Sequence, residues 1–555
     1  MKPTTSAERA LLDELSQGGL TRLGSGGLPG ADETERVVRA EMLRHVLTAP
    51  ECVGSMHQKG LRVAGALIRG PLDLEGCRID RDVWLVDCRF DGPLTLRSCD
   101  LRSLQLDGSV LPGVSADKLV TAGGVYLRGT TVDGSVELAG ARIGGALVAD
   151  GATLRSPSGP ALAADGIDAP GGLLLRGATV DGVVSFEGAR VGADLDLTGA
   201  RLENVGGDVL RAESVFVRGD VLLRQGTMLG RCLLTGARVG GDVDLGGGRF
   251  SAPGAEAVLL NRAAVDGALM IRDGARLEGL LNLNGTRVDA LVDAVESWPG
   301  PGDLALNRFI YAGLLTAPSD AALRLDWLSR QDPARWGEDF WPQPYEQLAA
   351  VLAASGHGDD AQRVLVERER LQRRARRARA KPWLWRVVLR LSDAILQVTI
   401  GYGNRPLRAF GWLGLLWIVG AAAFAAADVE GAMRPAPFVV QRAPEWVLCG
   451  ISAEATAELA SLGLARRGLA APGETQTECW RRQPEAQAFI AFNAWMFALD
   501  TLVPAVQTGQ TEAWAPDQRV PFGMAVKTLA YALTILGWAL GLLAVAGFSG
   551  IVRSR

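Results

Sequence analysis

Apolar residues between positions 60 and 295 alternate with other residues in short runs, and the runs recur every eleven residues. Val125 and Leu127 form one such pair and Val136 and Leu138 form the next, with glycines between the pairs. Alternation over so few residues, interrupted by glycine, is typical of very short strands joined by turns. An eleven-residue helical repeat would need glycine-poor surroundings, because each glycine costs about 1 kcal/mol in a helix interior. The pattern therefore predicts strands.

A longer period of 48 residues is superimposed on the eleven-residue step. Each repeat of it begins with a glycine followed by a similar apolar phrase, at Gly123, Gly171, Gly219 and Gly267. A short unit that cannot bury its own apolar face gains a core by stacking on copies of itself, so this regularity indicates a solenoid. Two eleven-residue steps per turn predict a parallel coil of roughly 22 residues, and about 4.8 Å per coil gives a rod of about 50 Å.

The eleven-residue phrases resemble those of pentapeptide-repeat proteins and related right-handed β-solenoids. Cys-Arg-Ile at 77–79, Cys-Arg-Phe at 88–90 and Cys-Asp-Leu at 99–101 match their step of a small residue, any residue and a large one. The resemblance implies a mainly β fold with a right-handed parallel β-solenoid over residues 56–295. Steps of five and six alternate here, whereas pentapeptide repeats keep to five. Longer insertions also recur, near 155–170, 203–218 and 251–265.

The segment before the solenoid is predicted to form a helical cap. Residues 1–55 contain two stretches with apolar residues on one helical face, 6–22 and 33–49. An open solenoid end would pair with other strand edges, so we expect these helices to cover the first coil.

The segment after the solenoid, residues 296–381, is predicted to form an α-helical adaptor. Apolar spacing over 342–352, a break at 356–358 and a new start at Asp360 predict an αα-hairpin. The hairpin resembles a single tetratricopeptide-style unit. Repeats of that type need about three copies for stability, so packing is favoured over peptide binding as its role.

Two long apolar stretches near the C-terminus predict transmembrane helices. Residues 410–427 carry no charge, and residues 522–552 carry only Lys527. Each can cross about 30 Å of hydrocarbon at 1.5 Å per residue. We predict an interfacial helix and the first transmembrane helix in residues 382–428, and the second transmembrane helix with a cytoplasmic tail in residues 521–555.

A basic segment before the first of these helices predicts a membrane interface. Basic residues beside tryptophan mark the cytoplasmic boundary of a membrane, and each charge is worth about 1 kcal/mol near an anionic leaflet. A solvated helix face and a nucleic-acid contact are alternatives that the neighbouring span disfavours. With Arg553 and Arg555 after the second helix, charge bias places both termini in the cytoplasm. The predicted interfacial residues are Arg373, Arg374, Arg376, Arg377, Arg379, Lys381, Trp383 and Trp385.

Residues 429–520, between the two helices, are predicted to form an extracytoplasmic loop. They hold Cys449 and Cys479, and a disulfide between these two fits an oxidising exterior. The other five cysteines are expected to stay reduced. Three of them stand eleven residues apart and are expected to stack in the solenoid core as small buried side chains, which we favour over a thiolate metal ladder. They are Cys77, Cys88 and Cys99.

The loop contains a third apolar segment, residues 486–506. A third crossing would place the C-terminal arginines outside, so we predict an interfacial or re-entrant helix. The order of a span, a loop, a short helix and a second span resembles the plan of a two-transmembrane pore domain. In that plan, Asp500, Thr501 and Pro504 would belong to the pore helix. The Thr-Val-Gly-Tyr-Gly filter of potassium channels does not follow it, because Ala-Val-Gln-Thr-Gly stands at 505–509.

Composition narrows the functional classes. The 555 residues are 48% hydrophobic with a net charge of −4, which excludes a disordered chain and a uniformly basic nucleic-acid binder. Three histidines far apart in sequence argue against a multi-histidine metal site or a Ser-His-Asp triad. No Gly-x-Gly-x-x-Gly opens a helix and no Cys-x-x-Cys occurs. We therefore predict no catalytic residues, no cofactor and no metal.

Four phrases together resemble a group of bacterial membrane-anchored proteins with an N-terminal β-solenoid, some of which are labelled membrane-associated oxidoreductases. The phrases stand at 340–348, 401–406, 499–504 and 514–516. The resemblance implies a multi-pass protein of the bacterial cytoplasmic (inner) membrane. The N-terminus lacks the apolar stretch of a secretory signal, which predicts a cytoplasmic solenoid.

The leading hypothesis for function is a binding or scaffolding solenoid anchored to the membrane, and an enzyme is the less favoured class. The alternatives are a membrane-associated oxidoreductase and a two-span, ion-channel-like pore with a cytoplasmic sensor rod. The expected partners are anionic lipids of the inner leaflet, a protein bound to the solenoid, and further copies of the chain through the membrane region. Nucleic acid is not an expected partner.

Overall fold

The structure is a computed structural model, and it describes residues 1–379, 399, 407–451, 470–471, 473–503 and 505–548 of the chain. Two compact units are present, Met1–Arg368 and Glu369–Arg555.

The first unit contains a parallel β-solenoid of about 11 turns, as the alternating pattern predicts. Val125 pairs with Leu147, Leu147 with Leu173, and Leu173 with Leu195, so successive coils take 22, 26 and 22 residues. The 48-residue period of the sequence is therefore one short coil plus one long coil. The inward side chains of these pairs are fully buried, and they form a continuous core along the solenoid.

The strands stack into two long parallel sheets, one on each side of this core. The first sheet consists of Thr21–Arg22, Leu61–Ala64, Arg78–Val86, Asp100–Gln105, Val120–Thr121, Val125–Tyr126, Arg142–Ile143, Leu147–Val148, Asp168–Ala169, Leu173–Leu174, Arg190–Val191, Leu195–Asp196, Phe216–Val217, Val221–Leu222, Arg238–Val239, Val243–Asp244, Ala264–Ile271, Arg287–Asp293 and Ile310–Leu314. The second sheet consists of Val37–Arg39, Leu67–Arg69, Leu72–Asp73, Arg89–Phe90, Leu94–Thr95, Val110–Leu111, Val114–Ser115, Thr131–Asp133, Val136–Glu137, Thr153–Ala163, Thr179–Ser185, Arg201–Arg211, Thr227–Leu233, Arg249–Leu259, Arg276–Asn282 and Leu304–Ala305.

The glycines of the 48-residue period stand where one coil passes closest to the previous coil. A Cβ atom at Gly267 would lie 2.6 Å from the carbonyl oxygen of Gly241. The Gly267 N–H donates a hydrogen bond to that same oxygen at 3.0 Å. A side chain at this position would push the coils apart, so the periodic glycines serve coil stacking.

The N-terminal cap combines helices with strands. Helix α1 (Ser6–Leu15) ends earlier than the predicted helix 6–22, and α2 (Ala40–Thr48) begins later than the predicted helix 33–49; α3 (Pro50–Ser55) follows. The residues between α1 and α2 supply Thr21–Arg22 and Val37–Arg39, which pair with the first full coil. Backbone pairing with that open edge decides their conformation, because its unpaired N–H and C=O groups need partners.

The solenoid continues past the predicted end at residue 295. Leu304–Ala305 and Ile310–Leu314 pair in parallel with the preceding coil. A tryptophan and a run of proline and glycine at 298–302 hide this last coil in the sequence. Helices α4 (Ala321–Ser329), α5 (Gln343–Ala354) and α6 (Gly358–Arg379) follow, and residues 355–357 join α5 to α6.

The second unit is built on two long apolar helices, α7 (Leu407–Val429) and α13 (Pro521–Phe548). Between them lie α8 (Phe438–Arg442), α9 (Pro444–Cys449), α10 (Gln476–Arg481), α11 (Ala494–Leu502) and α12 (Gln510–Ala513). Strands Met433–Pro435 and Trp514–Pro516 pair antiparallel. Short 3₁₀ turns are found at Thr34–Arg36, Val295–Ser297, Pro333–Trp336 and Pro484–Ala488.

Both long helices meet the length and hydropathy needed to cross a membrane, over Leu407–Val429 and Pro521–Val545. Large apolar side chains remain exposed along them, including Leu407, Ile418, Ile535 and Leu542. So many exposed large apolar side chains are unusual for a protein surrounded by water, and the two helices are candidate membrane spans.

Candidate functional site

The residues predicted to lie at the membrane interface are divided between the described and undescribed parts of the chain. Arg373, Arg374, Arg376, Arg377 and Arg379 lie in the last two turns of α6. The Nε atom of Arg373 is 2.6 Å from Oε1 of Glu369, one turn earlier. The remaining three, Lys381, Trp383 and Trp385, lie outside the described residues.

The segment between α7 and α13 is held together by a disulfide and an aromatic cluster. Cys449, at the end of α9, is bonded to Cys479 in α10, with their Cα atoms 5.6 Å apart. Both cysteines are buried. The rings of Trp446, Trp480 and Trp514 pack edge to face in the same core. This compact core supports the chain on each side of α11.

Residues 493–511, of which 504 lies outside the described residues, form a hairpin that we call the helix–loop hairpin. The side chain of Asn493 caps α11 by accepting N–H bonds from Trp495 at 3.0 Å and Met496 at 3.2 Å. At the other end, Gln510 accepts the Asn493 N–H at 3.0 Å and donates to the carbonyl oxygen of Ala491. Entry and exit of the hairpin therefore lie side by side.

Asp500 closes the helix–loop hairpin from inside. Its side chain is buried. One carboxylate oxygen accepts the Thr508 N–H at 2.8 Å, and the other accepts the N–H groups of Gln510 at 3.0 Å and Thr511 at 3.4 Å. Three backbone N–H groups of the returning chain therefore share the Asp500 carboxylate as their acceptor.

The hairpin packs between α7 and α13. The Thr534 hydroxyl on α13 donates to the carbonyl oxygen of Thr501 at 3.1 Å. Gly537 leaves room for the end of α11, because a Cβ atom there would lie 1.7 Å from the Leu502 carbonyl oxygen. On the other side, the Trp417 indole of α7 donates to the Trp495 carbonyl oxygen at 2.9 Å.

The predicted apolar helix over 486–506 is therefore shorter in the structure. Residues 484–488 form a 3₁₀ turn, the chain is extended to Asn493, and the helix covers Ala494–Leu502. Asp500 and Thr501 lie in its last turn, and Pro504 is outside the described residues. The Asn493 cap sets the start of the helix, because a polar side chain that bonds the first free N–H groups favours that boundary. The sequence shows Asn493 only as an interruption of the apolar run.

A second candidate site lies on the solenoid, where each long coil carries four extra residues. The register of strand pairing shifts around 156–159, 204–207 and 252–255. The last two insertions enclose a groove of about 350 Å³, with Leu229, Gly230 and Arg231 of the intervening short coil between them. We call this the insertion groove.

The wall of the insertion groove is apolar and open to solvent. Val205 is 82% exposed, and Pro253 and Ala255 stand on the opposite side. Gly230, on the groove floor, has a φ of +148°, and a Cβ atom there would lie 2.8 Å from the Asn204 carbonyl oxygen. Arg231 at the edge forms an ion pair with Asp208, with Nη2 and Oδ1 2.6 Å apart. The sequence signal for this site was the recurring insertion, which does not by itself reveal a groove.

The recurring aspartates of the solenoid have a structural role. Asp194 accepts the backbone N–H of Asp220 at 2.9 Å, Asp220 accepts that of Asp242 at 2.8 Å, and Asp242 accepts that of Ala268 at 2.7 Å. Each carboxylate therefore binds a backbone group of the next coil.

The structure corrects the expected stacking of the three cysteines that stand eleven residues apart. Arg78 pairs with Asp100 in the first sheet, which places Cys77 and Cys99 in one column. Cys88 precedes a strand of the second sheet and lies half a coil away. A full coil, not an eleven-residue step, brings a residue back to the same column, so the three cannot form one ladder.

Thiol labelling should follow the burial of the seven cysteines. Burial raises the pKa of the Cys88, Cys99 and Cys232 thiols to about 12, because the charged thiolate is poorly solvated there. We expect native protein treated with a metal chelator to react with maleimide at two positions, the half-buried Cys52 and Cys77. Denatured protein should react at five, and denatured, reduced protein at all seven. Peptide mass spectrometry measures this, and labelling of Cys88, Cys99 or Cys232 in native protein would contradict it.

Comparison with known proteins adds no relative to these observations. No family model, no curated protein and no solved structure matches the chain.

Proposed function

We propose that this protein is a membrane-anchored scaffold whose β-solenoid binds a protein partner. The insertion groove carries the proposal. Coils without an insertion present short, regular turns, whereas here two four-residue insertions place the exposed Val205 at a groove that Leu229 and Pro253 also line. Exposed apolar clusters with a charged edge are typical of surfaces that bind other proteins.

The partner proposed for the insertion groove is an apolar side chain on an extended or helical segment of another protein. Val205, Leu229 and Pro253 offer the apolar contact, and Arg231 at the edge, ion-paired with the buried Asp208, offers a charged group. Burying one valine-sized side chain is worth about 1.5–3 kcal/mol. A contact of this energy favours a partner that carries the apolar side chain over one that lacks it, and it still allows the partner to dissociate.

The anchor is proposed to be α7 and α13. Both helices are long and apolar enough to cross a membrane, and large apolar side chains face outward along them. A disulfide joins α9 to α10 between the two helices, and disulfides persist in oxidising compartments. Together with the basic end of α6, this supports an orientation with both termini in the cytoplasm of a bacterium.

Lipid and self-association are further parts of this proposal. The arginines at the end of α6 would contact anionic headgroups, which attract basic residues at about 1 kcal/mol each. The exposed faces of α7 and α13 would contact lipid or a second copy of the chain.

The groove is tested by photo-crosslinking in native membranes, with a crosslinking residue in place of Ser251 on the groove wall. Val205→Asp should lower the yield of the crosslinked partner at least about tenfold, because loss of about 1.4 kcal/mol of contact energy is a factor of ten. Val120→Asp is the matched control, since it changes an exposed valine of another coil. Equal yields in both variants would exclude the groove, and no crosslinked protein in wild type would exclude the scaffold.

A pore is the second candidate, favoured by the helix–loop hairpin. A short helix enters between two apolar helices and its chain returns beside its own start, tied by Gln510 and Asp500. Pore domains use this plan to present backbone carbonyls to ions. Salt-dependent ion flux from vesicles that hold the full chain supports a pore, and vesicles as tight as protein-free ones exclude it.

The oxidoreductase label has less support. The periodic glycines lie between stacked coils, where Gly267 touches Gly241, whereas a dinucleotide-binding loop needs its glycines at the start of a helix. Kinship with pentapeptide-repeat proteins is likewise a proposal. It rests on the steps of a small residue, any residue and a large residue, such as that at 88–90.

A further inference from the structure

Three side chains with metal-binding atoms meet at the junction of α2 and α3. The Nε2 atom of His45 is 3.6 Å from Oε1 of Glu51. The Sγ atom of Cys52 completes a set of three donor atoms that all lie within 4.8 Å of one another. Imidazole nitrogen, carboxylate oxygen and thiolate sulfur are the three kinds of ligand that Zn²⁺ accepts in proteins.

The local fold explains why these residues meet. Helix α2 ends at Thr48, and the N–H of Ala49 closes its last turn by donating to the His45 carbonyl oxygen at 2.9 Å. Ala49 is extended, with ψ of 129°, and Pro50 starts α3 directly after it. The first turn of α3, which carries Glu51 and Cys52, therefore lies against the last turn of α2. The Cys52 N–H donates to the Ala49 carbonyl oxygen at 3.0 Å and holds this turn.

We propose that His45, Glu51 and Cys52 form a zinc site in the N-terminal cap. With metal–ligand distances of about 2.0–2.3 Å, the donors of a tetrahedral zinc site lie roughly 3.4 Å apart. The observed 3.6 Å between His45 and Glu51 matches this separation, and the thiol, within 4.8 Å of both donors, needs a shift of no more than roughly 1.4 Å to join them. His45 and Cys52 are half-buried and Glu51 is exposed, so the metal can enter from solvent.

Three protein ligands leave the fourth position of a tetrahedral zinc ion to a water molecule. The Met1 amino nitrogen, 2.9 Å from Nε2 of His45 in this structure, would give up that contact when the ion binds.

Metal binding at this site would join two parts of the cap. Helix α2 buries Met42, Leu43, Val46 and Leu47, so its position is set by packing. A zinc ion on His45 would tie α3 to that helix. This inference concerns the cap alone and does not depend on the proposed scaffold function.

Cobalt titration of the full-length, chelator-treated protein tests the site. Binding of Co²⁺ should give one equivalent of four-coordinate cobalt absorbance with a thiolate charge-transfer band, and Zn²⁺ should displace it. Cys52→Ser and His45→Ala should each weaken binding by more than the roughly 10–100-fold that changes around a ligand set cause. Cys77→Ser, which alters the other half-buried cysteine, should leave binding unchanged.

Alkylation of wild-type protein gives a second test that needs no variant. Zn²⁺ should protect Cys52 from iodoacetamide while Cys77 reacts as before, and peptide mass spectrometry separates the two. Equal alkylation of Cys52 with and without Zn²⁺, or a charge-transfer band that survives Cys52→Ser, would overturn the proposal.

Discussion

Replacing Asp293 with alanine should destabilise the C-terminal end of the solenoid by about 3–5 kcal/mol, the usual result of removing one partner of a buried ion pair. Asp293 and Arg324 have side chains that are 1% and 0% exposed, and they form two bonds of 2.7 and 2.8 Å. Without the carboxylate, the Arg324 guanidinium is left buried and charged. The indole N–H of Trp298, 2.7 Å from Asp293, also loses its acceptor.

The effect should be local, because Asp293 ends a strand of the solenoid and Arg324 lies on α4. Amide hydrogen exchange over α4 and residues 287–293 should accelerate by roughly 10²–10³-fold, as 1.4 kcal/mol corresponds to a factor of ten. Asp133→Ala is the matched control. It breaks an exposed pair with Arg155 at 3.3 Å, and such pairs are worth about 0–1 kcal/mol.

A double variant distinguishes the buried charge from simple loss of packing. Asp293→Leu combined with Arg324→Met should recover part of the stability that Asp293→Ala loses, because apolar residues can replace a buried ion pair at little cost, whereas the Trp298 indole N–H still lacks its acceptor. Exchange as slow in Asp293→Ala as in Asp133→Ala would show that the pair does not hold α4 in place.

Replacing Asp500 with alanine should open the helix–loop hairpin. The change leaves three backbone N–H groups without the acceptor they now share, and each unsatisfied buried group costs about 1–3 kcal/mol. Some of these groups will find water, so we expect a loss of about 3–5 kcal/mol in the local opening free energy. Asp500→Asn keeps one acceptor oxygen, so its local opening free energy should lie between those of wild type and Asp500→Ala.

Hydrogen exchange and limited proteolysis of residues 505–511 in detergent measure this opening. Glu512→Ala is the matched control, since it removes an exposed carboxylate from the same segment and should change neither readout. If the hairpin conducts ions, Asp500→Ala should also alter vesicle flux. Unchanged hydrogen exchange of residues 505–511 in Asp500→Ala would show that the Asp500 carboxylate does not hold the helix–loop hairpin closed.

The solenoid was readable from sequence because its determinants are local and repeated. Alternating pairs such as Val125 and Leu127 specify which side chains face inward, and repetition multiplies the signal. The ends of the solenoid were harder to predict from the sequence. Residues 37–39 carry an apolar pattern that suits a helix, yet they pair with Leu67–Arg69, because the free edge of the first coil supplies backbone partners that no local pattern records.

The candidate sites likewise contain some residues that the sequence singles out and others that only the structure reveals. Asp500 and Thr501 were named from sequence because the segment around them resembles a pore helix. Gln510, which ties the exit of the hairpin to its entry, resembles an ordinary loop residue. His45 and Cys52 are separated by seven positions, a spacing with no established metal motif, and only the turn at Ala49 brings them together.

The sequence by itself determined the parallel coil, the two apolar helices and the cysteine pair between them, because each depends on composition or on periodicity along the chain. The tertiary structure alone decided the alternation of 22-residue with 26-residue coils, the insertion groove, the Asp293–Arg324 pair and the closing role of Asp500. These features join residues distant in sequence or depend on the register between coils. The energy of a buried charge or hydrogen bond depends on which groups surround it in three dimensions, and a linear pattern does not contain that information.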